Sequence, residues 1–173
     1  MRQILLIGVL GAALGLTGCS ELVSLNSIAA EGASLQDPAL PGVWAGSDEM
    51  FIVRQDGSGY RIVYVDKDSS RKFRAVLFQA GEAKLLDLVP EEEDPFRVPV
   101  HIVVRVWTEP STLRWTFLDT DWLKQQARKA LVSQDSADRT LLTAPGAAVR
   151  GFLNTFGADE RAYKEANTLS RVQ

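Results

Sequence analysis

The sequence predicts a mainly β protein of the α+β class: a strongly bent antiparallel sheet or partial barrel of about seven or eight strands, with two C-terminal helices packed on it. Two observations carry this prediction. Between residues 43 and 117, short runs of alternating apolar and polar residues are separated by turn residues, the period-two pattern of antiparallel strands. After Asp119 the apolar residues recur at the three- and four-residue spacing of a helix that covers a sheet.

The strands follow in order. Val43-Trp44-Ala45 and Met50 to Arg54 form the first two, and Asp56-Gly57-Ser58-Gly59 turns the chain into Tyr60 to Val65, where Tyr60, Ile62 and Tyr64 share a face. Lys67-Asp68-Ser69-Ser70 makes the next turn. Lys72 to Gln79 sets Phe73, Ala75 and Leu77 against Arg74, Val76 and Phe78, and Lys84 to Val89 pairs with it across Ala80-Gly81-Glu82. The acidic loop Pro90-Glu91-Glu92-Glu93-Asp94-Pro95 interrupts the sheet. The longest strand comes next, Val98 to Thr108: Val100, Ile102, Val104 and Val106 form an apolar face, while His101, Val103, Arg105 and Trp107 form a mixed one. Glu109-Pro110-Ser111 leads into Leu113 to Phe117, with Leu113, Trp115 and Phe117 on one face.

In the C-terminal third, Asp119-Thr120-Asp121 offers capping oxygens for a helix to Val132 carrying Leu123, Ala127, Ala130 and Leu131. Arg139 to Thr143 is a short strand. Thr143 caps a second helix with Pro145 in its first turn, Val149, Phe152, Leu153 and Phe156 on one stripe, and Gly157 as its stop. The polar tail, Asp159 to Gln173, holds a last helical turn or an edge strand.

The N-terminus follows a different logic. A single positive charge, Arg2, precedes Ile4 to Leu16, an apolar run too short for a bilayer span of about 20 residues but suited to a signal peptide. It ends in Leu16-Thr17-Gly18-Cys19, which resembles the lipobox of bacterial lipoproteins; the likeness covers the first 19 residues. It implies cleavage before Cys19, with lipid on the Cys19 thiol. Ser20 follows, where an aspartate would imply retention at the inner membrane; by the same resemblance Ser20 implies an outer-membrane address facing the periplasm. The chain then divides into a signal peptide (1–18), a lipidated tether (19–37) and one β-rich domain (38–173); Ser24, Asn26, Ser27, Gly32 and Ser34 give the tether its small, polar character.

Composition narrows the function. The chain is 46% hydrophobic and 24% charged, as an ordinary globular chain is. Without Arg2 the mature chain has 18 basic and 22 acidic residues, a net charge of −4, with no basic stripe for nucleic acid. With Cys19 its only cysteine, the domain has no intrachain disulfide.

No cofactor is expected. His101 is the only histidine, so no ordinary transition-metal site or motif-announced catalytic triad forms around it. Asp119 and Asp121 read as helix caps, since the rest of a calcium loop is missing. Glu91 to Asp94 reads as a solvated loop, the alternatives being a divalent cation or a basic partner.

Gly42-Val43-Trp44 resembles the Gly-x-Trp signature of lipocalins, in which the tryptophan closes the barrel bottom; that likeness implies a carrier of small apolar ligands. The sequence departs from the pattern: a Thr-Asp-Tyr-type turn and an arginine near the last strand are not evident, and two late helices exceed the usual one. A core tryptophan on a first strand accounts for Trp44 equally. Over residues 38–157, Trp44, His101, Asp119-Thr120-Asp121-Trp122-Leu123 and Leu142-Thr143-Ala144 are also similar to a group of bacterial lipoproteins without an assigned activity, which implies fold and address alone.

The candidate contact residues for a ligand or partner are therefore Trp44, His101, Arg105 and Trp107; Trp107 lines a groove or partner surface, or else shields the sheet edge. The expected function is a membrane-anchored, non-enzymatic accessory or protein-binding domain of the envelope, the alternative being a lipocalin-like carrier. A cavity between sheet and helices would favour the carrier, and a side-chain-filled interior would count against it.

Overall fold

The computed structural model describes residues 21–91, 98–127, 131, 133–135 and 139–172. After β1 (Glu21–Ser24), seven strands follow as an antiparallel meander: β2 (Gly42–Ala45), β3 (Glu49–Asp56), β4 (Gly59–Asp66), β5 (Ser70–Ala80), β6 (Ala83–Pro90), β7 (Ile102–Thr108) and β8 (Thr112–Phe117). Then come α1 (Thr120–Ala127), β9 (Ser133–Asp135), β10 (Arg139–Leu142), α2 (Gly146–Phe156), a 3-10 turn (Glu160–Ala162) and β11 (Asn167–Arg171). The β3–β4 and β5–β6 hairpins have two-residue loops whose first residues, Gly57 and Gly81, adopt φ of +59° and +57°, the positive φ that favours glycine in tight hairpins.

The predicted bent sheet closes completely. β11 enters antiparallel between β8 and β2, making an eight-stranded barrel in the order β11-β2-β3-β4-β5-β6-β7-β8. The polar tail thus supplies a closing strand, and closure removes the two edges that β2 and β8 would otherwise expose. Leu169 is the tail's inward anchor, fully buried between exposed Thr168 and Ser170.

Two apolar clusters hold the fold. Inside the barrel, Trp44, Ile62, Leu77, Val104, Leu113 and Leu169 interdigitate, all at most 4% exposed. Eight strands enclose an interior just wide enough for side chains to fill. Outside, Phe78, Leu85 and Val103 of β5, β6 and β7 pack against Leu123 of α1 and Val149, Phe152 and Leu153 of α2. Trp122 of α1 adds edge-on contacts to Phe152 and Phe156, with ring centroids 6.1 and 5.7 Å apart. A small sheet, β1-β10-β9, bridges the clusters: Val23 and Leu141 face the interior set, Leu22 and Leu142 the outer one.

Three expectations change. Residues 21–37 do not act as a free tether: β1 pairs in parallel with β10, and Val23, Ile28 and Ala29 are 4%, 1% and 8% exposed. Their polar neighbours bond to the folded body, as when Asn26 Nδ2 donates to the Ala144 carbonyl at 3.0 Å. The long strand begins at Ile102; His101 instead forms an isolated bridge with Ser24, because β6 leaves β7 beyond the Leu88–Ile102 pair and β1 takes its place. Thr143 does not cap α2, whose N-cap is Pro145 without a side-chain bond. Gly157 does end α2, with right-handed φ of −63°; a Cβ there would meet the Leu153 and Ala80 carbonyls. Asp119 caps α1 as expected, its Oδ1 accepting the Trp122 amide at 2.7 Å, while residues 128–130 and 132 of the predicted helix lie outside the described residues.

Candidate functional site

The barrel has one closed end. Residues 37–41 cross it, fixed by side chains from several strands. The Asp37 amide donates to Tyr60 Oη at 2.8 Å, and its carboxylate accepts from Lys84 Nζ at 2.7 Å and Thr108 Oγ1 at 2.6 Å. Burial raises the Asp37 pKa, but the bonds from Lys84, Thr108 and the Ala39 amide outweigh it and hold the carboxyl below its ordinary value. Trp44, fully buried, donates through Nε1 to the Leu40 carbonyl at 2.9 Å. The Arg171 guanidinium lies 4.1 Å from the Trp44 ring and donates to the carbonyls of Pro110, Pro41 and Ala39. An arginine near the last strand is therefore present after all. The sequence hid it because β11 has a single buried apolar residue, Leu169, too weak a signal to mark a strand. Trp44 closes the barrel from within and has no surface for a partner.

On the outside of β6 and β7, Asp87 and His101 form a second polar centre. His101 Nδ1 is 2.7 Å from Asp87 Oδ1, and Asp87 Oδ2 accepts the amides of Ile28 and Ala29 at 2.8 and 3.0 Å. Asp87 is 3% exposed. This dyad holds residues 27–29 on the barrel, the satisfied hydrogen-bonding state expected of buried polar groups. Arg150 Nη1 donates to the Ile28 carbonyl at 2.7 Å from the other side.

Arg105 and Trp107, predicted to share a face, do meet on the outer wall. The Arg105 guanidinium is 4.4 Å from the Trp107 ring centre and 4.9 Å from that of Tyr163. Arg114, which sequence reasoning missed, stacks on the same indole at 4.8 Å because β8 pairs it directly with Trp107. The β7–β8 hairpin spacing was the signal that could have found it. Burial pushes the Tyr163 hydroxyl up to about 12, with nearby Arg105 pulling the other way, and that hydroxyl donates to the Gly157 carbonyl at 2.7 Å. His101, one residue before β7, is bonded to Asp87 rather than to this group.

At the opposite end lie the β2–β3 and β4–β5 loops and the start of β11. An acidic cleft of about 550 Å³ lies there between Gly46–Glu49, Tyr64, Asp66–Asp68 and Ala166–Thr168. Phe51, Tyr64 and Trp115 stack beside it, with centroid distances of 5.2 to 6.4 Å, and Phe117 is 39% exposed. Burial first, and then the charges of Glu49 and Asp66, raise the Tyr64 pKa. No group of three metal-ligating side chains is found among the described residues. Of the acidic loop, residues 92–97 lie outside the described residues, as does Cys19.

No protein-family model, curated protein or solved structure matches the chain.

Proposed function

We propose that this protein is a non-enzymatic lipoprotein of the bacterial envelope, anchored through lipid on Cys19 and acting by binding a partner on the surface of its barrel. The observation that carries the binding mode is the filled interior. Trp44, Leu40, Leu77, Leu85, Leu113 and Leu169 are each at most 1% exposed, with Leu85 on the outer layer and the others inside or plugging the closed end. A barrel packed in this way favours recognition by its walls over enclosed cargo.

The lipobox-like Leu16-Thr17-Gly18-Cys19 supports the anchor. A lipid on Cys19 would leave one residue, Ser20, before β1 begins at Glu21, a leash of about 7 Å at full extension. The barrel would then ride directly on the headgroups, its orientation restricted by the β1–β10 pairing. The lack of a nucleophile motif, and the use of His101 and Asp87 to hold the chain, support a role without catalysis.

Metabolic labelling with radioactive palmitate tests the anchor. The wild-type chain should be labelled and processed, and Cys19→Ala should run unlabelled as the full precursor; label that persists in the variant would refute it. The runner-up is a carrier of small apolar ligands. The Trp44–Arg171 stack and the aromatic group beside the acidic cleft support it. A stoichiometric apolar molecule in the native mass spectrum would favour that reading.

A further inference from the structure

Arg105 poses a problem that the fold itself does not solve. The residue is 8% exposed, and its Nη1 has no hydrogen-bond acceptor. Neither Arg105 nor Arg114 is paired with a carboxylate among the described residues, although the chain has 22 acidic residues against 19 basic ones. Trp107 and Tyr163 attract the faces of the Arg105 guanidinium. Its N–H edge, a rigid fork suited to a carboxylate, remains unused. A buried, unpaired cation destabilises a fold, and an apolar side chain of similar volume would fill the same space without that penalty.

We propose that Arg105, Trp107 and Arg114 form a docking site for an acidic segment of a partner protein, one carboxylate of which seats on the Arg105 guanidinium. Charge complementarity identifies the occupant: two unpaired guanidiniums touch one indole on the outer wall of β7 and β8. An indole with flanking arginines has the composition of a protein-binding hot spot. The half-buried Trp107 also offers area that an inorganic anion would leave uncovered. The site rests on the reading of the barrel as a binding domain, though not on acylation of Cys19.

The test follows the Arg Nε–H and Trp Nε1–H resonances of the full chain, isotope-labelled in non-ionic detergent, during titration with hexaglutamate, hexalysine and inorganic phosphate. Hexaglutamate should shift the Arg105 and Trp107 signals saturably and hexalysine should not. Arg105→Gln and the exposed Arg114→Gln should each weaken the response about tenfold or more. Arg105→Met should abolish it while melting no lower than the wild type, since it removes an uncompensated buried charge. Shifts that survive in these variants, equal shifts with hexalysine, or saturation by phosphate at the same concentration as the peptide would overturn the site. Hexaglutamate shifts at Trp115 Nε1–H, beside Glu49, with Trp107 unmoved would overturn it and keep the binding reading. No shift at all would overturn it and leave that reading to the native mass spectrum.

Discussion

The seam between β11 and β2 is the shortest in the barrel, with two residue pairs in register, Ser170–Ala45 and Arg171–Trp44. The Arg171 side chain reinforces it, so Arg171→Ala is the informative perturbation. The substitution removes donors to Pro110 at 2.9 Å, to Pro41 at 3.0 Å and to Ala39, together with the stack on Trp44. Bonds from a charged donor contribute roughly 1.5 kcal/mol or more when buried and less when exposed, as the Pro110 bond is; the cation–π contact adds about 1 kcal/mol. With allowance for water replacing the exposed bond, the expected loss is about 3 kcal/mol, or about 6–12 °C in melting temperature for a domain of this size. Thermal unfolding followed by circular dichroism measures it. Arg171→Lys keeps the charge but not the fork, and should recover less than half of the loss. A double-mutant cycle with Trp44→Phe should give a coupling of about 1 kcal/mol. A loss under about 0.5 kcal/mol for Arg171→Ala, the range of an ordinary surface substitution, would refute the seam argument.

Three further outcomes follow from the same packing. Asp37 titrates below its ordinary value when folded, so its stabilising contribution is complete above that value and is lost as pH falls through the folded one. Asp37→Asn should therefore destabilise the protein at pH 7 by about 1–2 kcal/mol, discounted because Lys84 is partly exposed, and flatten the acid limb of stability against pH; an unchanged limb would count against the Lys84–Thr108 network. Gly146→Ala drives a Cβ into the Ser27 carbonyl and should cost about 2 kcal/mol or more in urea unfolding, although alanine is otherwise the better helix former. Asp87→Ala leaves two buried amides and His101 without their acceptor, so amide exchange of Ile28 and Ala29 should quicken at least about a hundredfold, equivalent to about 3 kcal/mol, ahead of the barrel strands.

The strands of the meander were legible because each carries its own alternating pattern, as Tyr60, Ile62 and Tyr64 show on β4. The two helices were legible from their apolar stripes. Closure of the barrel was not, because it depends on the tail pairing with strands far away in sequence, and β11 offers one core residue for the purpose. The segment 21–37 misled for a related reason: its serines and asparagine resemble a solvated linker until their partners on β6, β10 and the turn before α2 are known. Among the candidate contacts, Arg105 and Trp107 were placed together by simple strand alternation. Arg114 and Arg171 needed cross-strand register, which one sequence does not supply. Trp44, a candidate contact that a core tryptophan explained equally well, is completely buried.

Native mass spectrometry of the protein extracted from bacterial membranes reads the anchor and the filled barrel in one spectrum. The expected chain begins at Cys19, carries covalent lipid there and holds no small apolar molecule in its filled barrel. A chain beginning elsewhere, an unmodified Cys19 or a retained stoichiometric ligand would contradict it.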